Sequence, residues 1–278
     1  MEKQKTPQKP RRIPYGMMNF VAIREENCYY VDKTRFIEKV ENANKFFFFI
    51  RPRRFGKSLT MSMLRHYYDI NQANKFEQLY GGLYIGDHPT ENHNKYLVIN
   101  LNFAVIDAEL GNYRESMDAH CRTEFDMFCM RYARLLPASF KENLMKEKGA
   151  VKQLDYLYKT CSEAGLKIYL FIDEYDHFTN NILSDATRME EYKQETHGTG
   201  YLRTFFDTIK AGTDSSIERV FVTGVSPVTL DDLTSGFNIG TNYSLSYKFN
   251  EMVGFTEEEV RAMLTYYATQ YDFHNTCL

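Results

Sequence analysis

The chain has 278 residues, of which 43% are hydrophobic and 26% charged, with a formal net charge of −3. That balance excludes a disordered polyelectrolyte and supplies enough apolar material for one large domain or two modest ones. The longest compact apolar run, Phe46 to Ile50, is strand-sized, so no membrane span is expected, and the N-terminus lacks the apolar stretch of a signal peptide.

Residues 1–14 carry Lys3, Lys5, Lys9, Arg11 and Arg12 among three prolines, which predicts a basic flexible tail. A nucleic-acid arm is the sharper reading of the same charges. The five cysteines form no CxxC pair and the seven histidines are scattered, so neither a disulfide framework nor a zinc ribbon is expected. Reduced thiols and a cytoplasmic location follow from that usage. The segment Tyr29–Ala43 reads as a short strand followed by a helix, with Asp32 at the N-cap and Phe36, Ile37 and Val40 on one face.

Four blocks read as buried strands: Lys45–Arg51, Tyr96–Phe103, Lys167–Asp173 and Arg219–Gly224. Each is nearly continuous in apolar residues, the pattern of a parallel strand covered on both faces. Helical stretches separate them, at Ser58–Asp69, Tyr113–Leu136, Val151–Ala164 (with Gly165 as the C′ residue) and Tyr201–Ala211. Alternating strands and helices predict an α/β class protein, three layers deep, with a mainly parallel central sheet. A capping box at Thr256 and Glu259 opens a last helix, Glu257–Thr269. The expected division is a tail at 1–14, a core at 15–249, and the start of a further C-terminal helical segment at 250–278.

The strongest chemical signal follows the first buried strand and opens a helix: Arg51-Pro52-Arg53-Arg54-Phe55-Gly56-Lys57-Ser58. Strand, tight loop and helix N-terminus is the context of a phosphate-binding loop, or Walker A motif. Successive backbone N–H groups from Arg53, Arg54 and Phe55 through Gly56 to Ser58 and Leu59 would cradle phosphate oxygens. Lys57 would reach the β- and γ-phosphates, and the Ser58 hydroxyl would ligate Mg²⁺. The usual spacing places glycine where this chain has Arg51, and Pro52 removes one N–H donor.

The second signal is Ile168–Ile172 followed by Asp173 and Glu174, an apolar strand ending in paired acids, as in a Walker B motif. At the tip of a central strand Asp173 would hold Mg²⁺ and Glu174 would deprotonate the attacking water. Tyr175 and Asp176 either line that site or cap the next helix. The intervening block Tyr96–Phe103 leaves the acidic strand apart from the loop strand in sequence. Thr223, closing the fourth strand, could contact the γ-phosphate or the water as a sensor does.

Together the stretches at 29–34, 48–59, 168–176, 219–227, 231–238 and 250–260 resemble the bacterial AAA-ATPase-like family of P-loop proteins, in that family's order. RPRRFGKS, without the first glycine, is that family's own form of the loop. The resemblance implies an ATP-binding core of the ASCE type, with Lys57 and Ser58 on phosphate and Mg²⁺ and with Asp173 and Glu174 as the acidic pair. It further implies ATP and Mg²⁺ as ligands and ATPase activity driving a switch. Family members commonly continue into a PD-(D/E)XK nuclease-like domain, for which Leu278 comes too early. The alternative is a nucleotide-dependent interaction module that does not hydrolyse, with a nucleic-acid association through the basic tail. A homo-oligomer would take an arginine from a neighbouring subunit, for which Arg53, Arg54 and Arg219 are the candidates near the motifs.

Overall fold

A computed structural model of the chain describes residues 10–107, 113–177, 180, 200–226 and 240–271. Its centre is a five-stranded, all-parallel sheet. The strands are β1 (Phe46–Ile50), β2 (Leu97–Asn102), β3 (Ile168–Asp173), β4 (Ile217–Gly224) and β5 (Thr241–Asn242), in spatial order β2-β3-β4-β1-β5. Ten α-helices among the described residues surround them: α1 (Phe20–Glu25), α2 (Phe36–Glu41), α3 (Lys57–Tyr68), α4 (Phe76–Tyr80), α5 (Tyr84–Asp87), α6 (Tyr113–Arg131), α7 (Phe140–Lys146), α8 (Ala150–Glu163), α9 (Tyr201–Gly212) and α10 (Glu257–Tyr271).

The run of apolar residues in β1 becomes intelligible once its two faces are separated. Phe46, Phe48 and Ile50 join Val220 and Val222 of β4 and Leu170 and Ile172 of β3 in a core completed by α6, α8 and α9. Phe47 and Phe49 join Phe221 and Phe171 in a second core, completed by α2, α3 and α4. Alternate residues of a strand point to opposite faces, so both layers of helices need apolar partners and every position of β1 is buried. This is the expected α/β/α arrangement.

The order of the strands places the site. After β1 the chain crosses over one face through α3, which packs in the second core, and reaches β2 at the far edge. It returns through β3 and β4 with α6, α8 and α9 on the other face. Right-handed crossovers require this change of face when the direction reverses. A crevice therefore opens at the carboxyl ends of β1 and β4, whose last residues Ile50 and Gly224 pair. Because β4 lies between β1 and β3, their tips stand about 10 Å apart, two strand spacings. The intervening block of the sequence, β2, sits instead on the outer side of β3.

Several sequence expectations are corrected here. Tyr29–Lys33 forms no strand. Asp32 accepts hydrogen bonds from the Thr34 N–H at 2.8 Å and hydroxyl at 2.6 Å, and from the Tyr84 N–H at 2.7 Å, which bends the backbone into a turn ahead of α2. The helix expected over Tyr113–Leu136 ends at Arg131, where the buried Tyr132 turns in and accepts the Val98 N–H at 2.8 Å through its hydroxyl oxygen. The expected Gly165 stop, by contrast, is present as a Schellman motif, with Leu166 N–H on Cys161 O and Gly165 N–H on Ser162 O.

At the C-terminal side the capping box forms in both directions, Glu259 N–H to Thr256 Oγ1 at 3.2 Å and Thr256 N–H to Glu259 Oε2 at 2.8 Å. The largely buried Lys33 ammonium also binds Glu259, at 2.6 Å. Tyr266 and Tyr267 of α10 hold the Arg11 backbone, and the Tyr29 N–H donates to the Arg12 carbonyl. The described part of the basic stretch thus lies between residue 29 and α10, with the Arg12 guanidinium paired to Glu26. No described helix is long and apolar enough to cross a membrane.

Gly224 closes β4 against the turn after β3. A Cβ there would lie 2.4 Å from Tyr175 Cε1 and 2.7 Å from Asp176 Oδ1. Gly224→Ala is expected to destabilise the protein by about 1–3 kcal/mol through overpacking, read from its urea-unfolding midpoint. An unchanged midpoint would contradict this packing.

Candidate functional site

The loop after β1 owes its shape to two residues with positive φ, Arg54 at 67° and Gly56 at 92°. Left-handed residues at these places turn backbone N–H groups into one concavity, and Gly56 reaches that conformation without the Cβ penalty. α3 begins at the next residue and adds the positive end of its dipole. Arg53, Arg54 and Phe55 are exposed along the rim, and Leu59 packs against the second core.

Lys57 is buried and folds back over the loop. Its ammonium donates to the carbonyls of Arg51 at 2.8 Å and Pro52 at 3.0 Å, which leaves one of its three N–H donors. Burial lowers its pKa below the usual lysine value, while the carboxylates of Asp173, Glu174 and Asp176 pull the other way. Those three acids act on the same ammonium, so the loop and the acidic turn face one site.

The direct link is a hydrogen bond from the Ser58 hydroxyl to Asp173 Oδ2 at 2.7 Å. The other oxygen of Asp173 accepts from the Thr223 hydroxyl and from the Glu174 N–H, the latter at 3.0 Å. One carboxylate therefore joins the first turn of α3, the end of β3 and the end of β4. Thr223 is fully buried with its hydroxyl on Asp173, so its described contact is with the acid and not with the open crevice.

Glu174 follows at φ 51°, left-handed for a residue with a Cβ, and the kink lifts its side chain off the strand direction. Its carboxylate is partly exposed and 3.6 Å from the His177 ring. Tyr175 and Asp176 turn inward instead. The Tyr175 hydroxyl donates to the Ser226 carbonyl at 2.8 Å, and Asp176, fully buried, accepts the N–H groups of Val225 and Ser226. Both fasten the chain leaving β4. The stretch 231–238 singled out in the sequence lies outside the described residues.

Two arginines are placed by structure rather than by phosphate. Arg51 stands where a glycine is usual. Its N–H continues the ladder to Gly224 O, and its guanidinium lies 4.6 Å from the Phe49 ring and donates to the Ser244 carbonyl. The Ser244 hydroxyl oxygen in turn accepts the Ile50 N–H at 2.7 Å. Arg219 lies at the opposite end of the sheet from the loop, donating to the Val40 and Glu41 carbonyls. It is therefore remote from the loop of its own chain.

Sequence reasoning missed the turn at Asn242–Ser244 that holds the start of the loop, and the bond from Gly254 N–H to Phe55 O at 2.9 Å. The second ties the loop to the segment leading into α10. A polar Asn-x-Ser turn was the signal available for the first; nothing local marks the second.

A family model described as predicted AAA-ATPase matches residues 14–234. A curated relative, "Uncharacterized protein in vnfD 5'region" of Azotobacter chroococcum mcd 1, is 27% identical over 254 residues, 91% of this chain and 45% of the relative. The chain thus spans under half the length of that protein. No solved structure matches the chain. With the match running from before β1 to beyond β4, the chain belongs to the AAA-ATPase-like family of predicted AAA-ATPases.

Proposed function

We propose that the crevice binds ATP with Mg²⁺ and hydrolyses it, the chain serving as the nucleotide-driven part of a switch. The observation that carries this reading is the Ser58–Asp173 hydrogen bond, which joins the hydroxyl of the loop helix to the acid of β3 beside a buried lysine. The donor set fits the metal: a hydroxyl and a carboxylate are hard oxygen ligands of the kind Mg²⁺ takes in phosphate sites. Ser58 and Asp173 would hold it, and when bound it would neutralise charge on the phosphate oxygens.

The remaining roles belong to the chain. Backbone N–H groups from Arg53 to Leu59 receive phosphate oxygens at the positive end of α3. Lys57 exchanges loop carbonyls for the β- and γ-phosphates, and the added negative charge offsets the burial that lowers its pKa. Thr223 fixes the orientation of Asp173. Glu174 takes the proton of the attacking water, and its left-handed backbone aims the carboxylate away from the β3 axis. The alternative is a non-hydrolysing, nucleotide-dependent module, suggested by the atypical Arg51-Pro52 entry; the contacts of Arg51 with Phe49 and Ser244 give that residue a structural role under either reading. A homo-oligomer would let Arg53 or Arg54, exposed on the rim, reach a neighbouring site.

Lys57→Ala is expected to weaken Mg-ATP binding at least about a hundredfold, the order of two to three kcal/mol for a charge-assisted phosphate contact, measured by calorimetric titration. Equal affinities of the two proteins would remove the assignment. Glu174→Gln is expected to keep ATP binding and lower single-turnover hydrolysis by about 10²–10⁴. Retained turnover in that variant would assign the base elsewhere.

A further inference from the structure

A cavity of about 290 Å³ is bounded by Ser58 and Asp173 and lies between α3 and the carboxyl end of β2. Ser58, Met61, Ser62 and Arg65 line it from α3 at helical spacing, and Asn100 and Asn102 from β2. Its polar inventory is weighted towards donors. The Arg65 Nε is shut off from solvent with no hydrogen-bond partner, and no carboxylate of the described residues forms an ion pair with that guanidinium. Asn100 makes no side-chain hydrogen bond with the described residues. Asn102 engages its amide oxygen with the Ala104 N–H at 3.0 Å, which leaves the NH₂ to donate. The Ser62 oxygen accepts the Phe20 N–H at 3.1 Å, which leaves its proton to donate. The wall acid, Asp173, has both oxygens engaged.

The cavity therefore presents several donors around a guanidinium without a close counter-charge, and its free acceptors are the Asn100 amide oxygen and the His66 Nε2. A guanidinium whose Nε is shut off from water and whose charge has no close counter-ion is left under-satisfied. The burial lowers the Arg65 pKa and Arg131 lowers it further, while Asp173, Glu124 and Asp69 pull the other way from beyond ion-pair distance. His66, also on the wall, donates from Nδ1 to the Ser62 carbonyl at 2.7 Å, and burial lowers its pKa. An oxyanion supplies what is missing: negative charge and several acceptors in a small volume. The cavity holds such an ion with room for waters, each about 30 Å³ in the liquid. We propose that this cavity is a second anion site, separate from the phosphate loop, which binds a small oxyanion of the inorganic phosphate class through Arg65, Asn100 and Asn102.

The test uses inorganic phosphate as the probe, at constant ionic strength, in the full chain carrying Lys57→Ala. That background weakens the loop site, so the result does not depend on the nucleotide reading. Calorimetric titration is expected to show saturable phosphate binding that weakens at least tenfold when Arg65→Met is added. Asn100→Asp, which puts a carboxylate into the cavity at constant size, is expected to cause the same loss. Neither change is expected to lower the melting temperature in phosphate-free buffer, since one removes an uncompensated cation and the other gives it a counter-charge. Equal phosphate affinity with and without Arg65→Met, or undiminished binding in Asn100→Asp if the first variant fails to fold, overturns the proposal. A second arm with Lys57 intact separates the sources. Faster phosphate release after ATP addition in Arg65→Met assigns the ion to the nucleotide, and unchanged release assigns it to bulk solution.

Discussion

The Asp173 carboxylate is the contact on which the site depends. It receives the Ser58 hydroxyl, the Thr223 hydroxyl and the Glu174 N–H, from the loop helix, the neighbouring strand and its own kinked successor. A buried carboxylate is costly unless its lone pairs are met, and here three donors meet them. Those donors also fix geometry: the start of α3 is held over the sheet edge, which sets where the loop's N–H groups converge. Packing positions the elements to within about an ångström, as close-packed interiors do, and this acid sets the register between the two motifs.

The sheet order makes the arrangement useful. With β4 between β1 and β3, the tips of those two strands stand two strand spacings apart, and Ser58 at the start of α3 spans the gap to Asp173. Lys57 rests on the uncharged carbonyls of Arg51 and Pro52. The loop is also tied outward, through Phe55 to Gly254 and through Arg51 to Ser244. A change in loop geometry is thereby coupled to the segment entering α10, where the Lys33–Glu259 pair holds the capping box.

How much of this was legible in the sequence follows from how local each cause is. β1 to β4 announce themselves because strands covered on both faces must be apolar throughout. β5 does not: Thr241–Asn242 is a strand only through its pairing with Phe47 and Phe48 and the Tyr243 ring stacked 4.5 Å from that of Phe47. Tyr29-Tyr30-Val31 has strand propensity, yet Asp32 mimics backbone acceptors and wins. The two chemical motifs were readable because each is a short run in a fixed local context. Their meeting was inferable only from the pairing of motifs, and the contact between Ser58 and Asp173 is its physical form. The Arg65 cavity was hidden, because its walls come from separate elements and Arg65 reads in sequence as an ordinary polar position on a helix. Thr223 was readable as a polar residue at a strand tip that could act as a sensor, but its bond to Asp173 was not, because the two residues lie on separate strands.

The most direct test of this account is a calorimetric titration of ATP into wild-type and Asp173→Asn proteins, each with and without Mg²⁺. The amide keeps the size of the side chain and removes the charge that would hold the metal. The account predicts strong ATP binding by the wild-type chain that depends on Mg²⁺, and binding by the Asp173→Asn protein that is weak and indifferent to Mg²⁺. The same magnesium dependence in both proteins, or none in either, would contradict it.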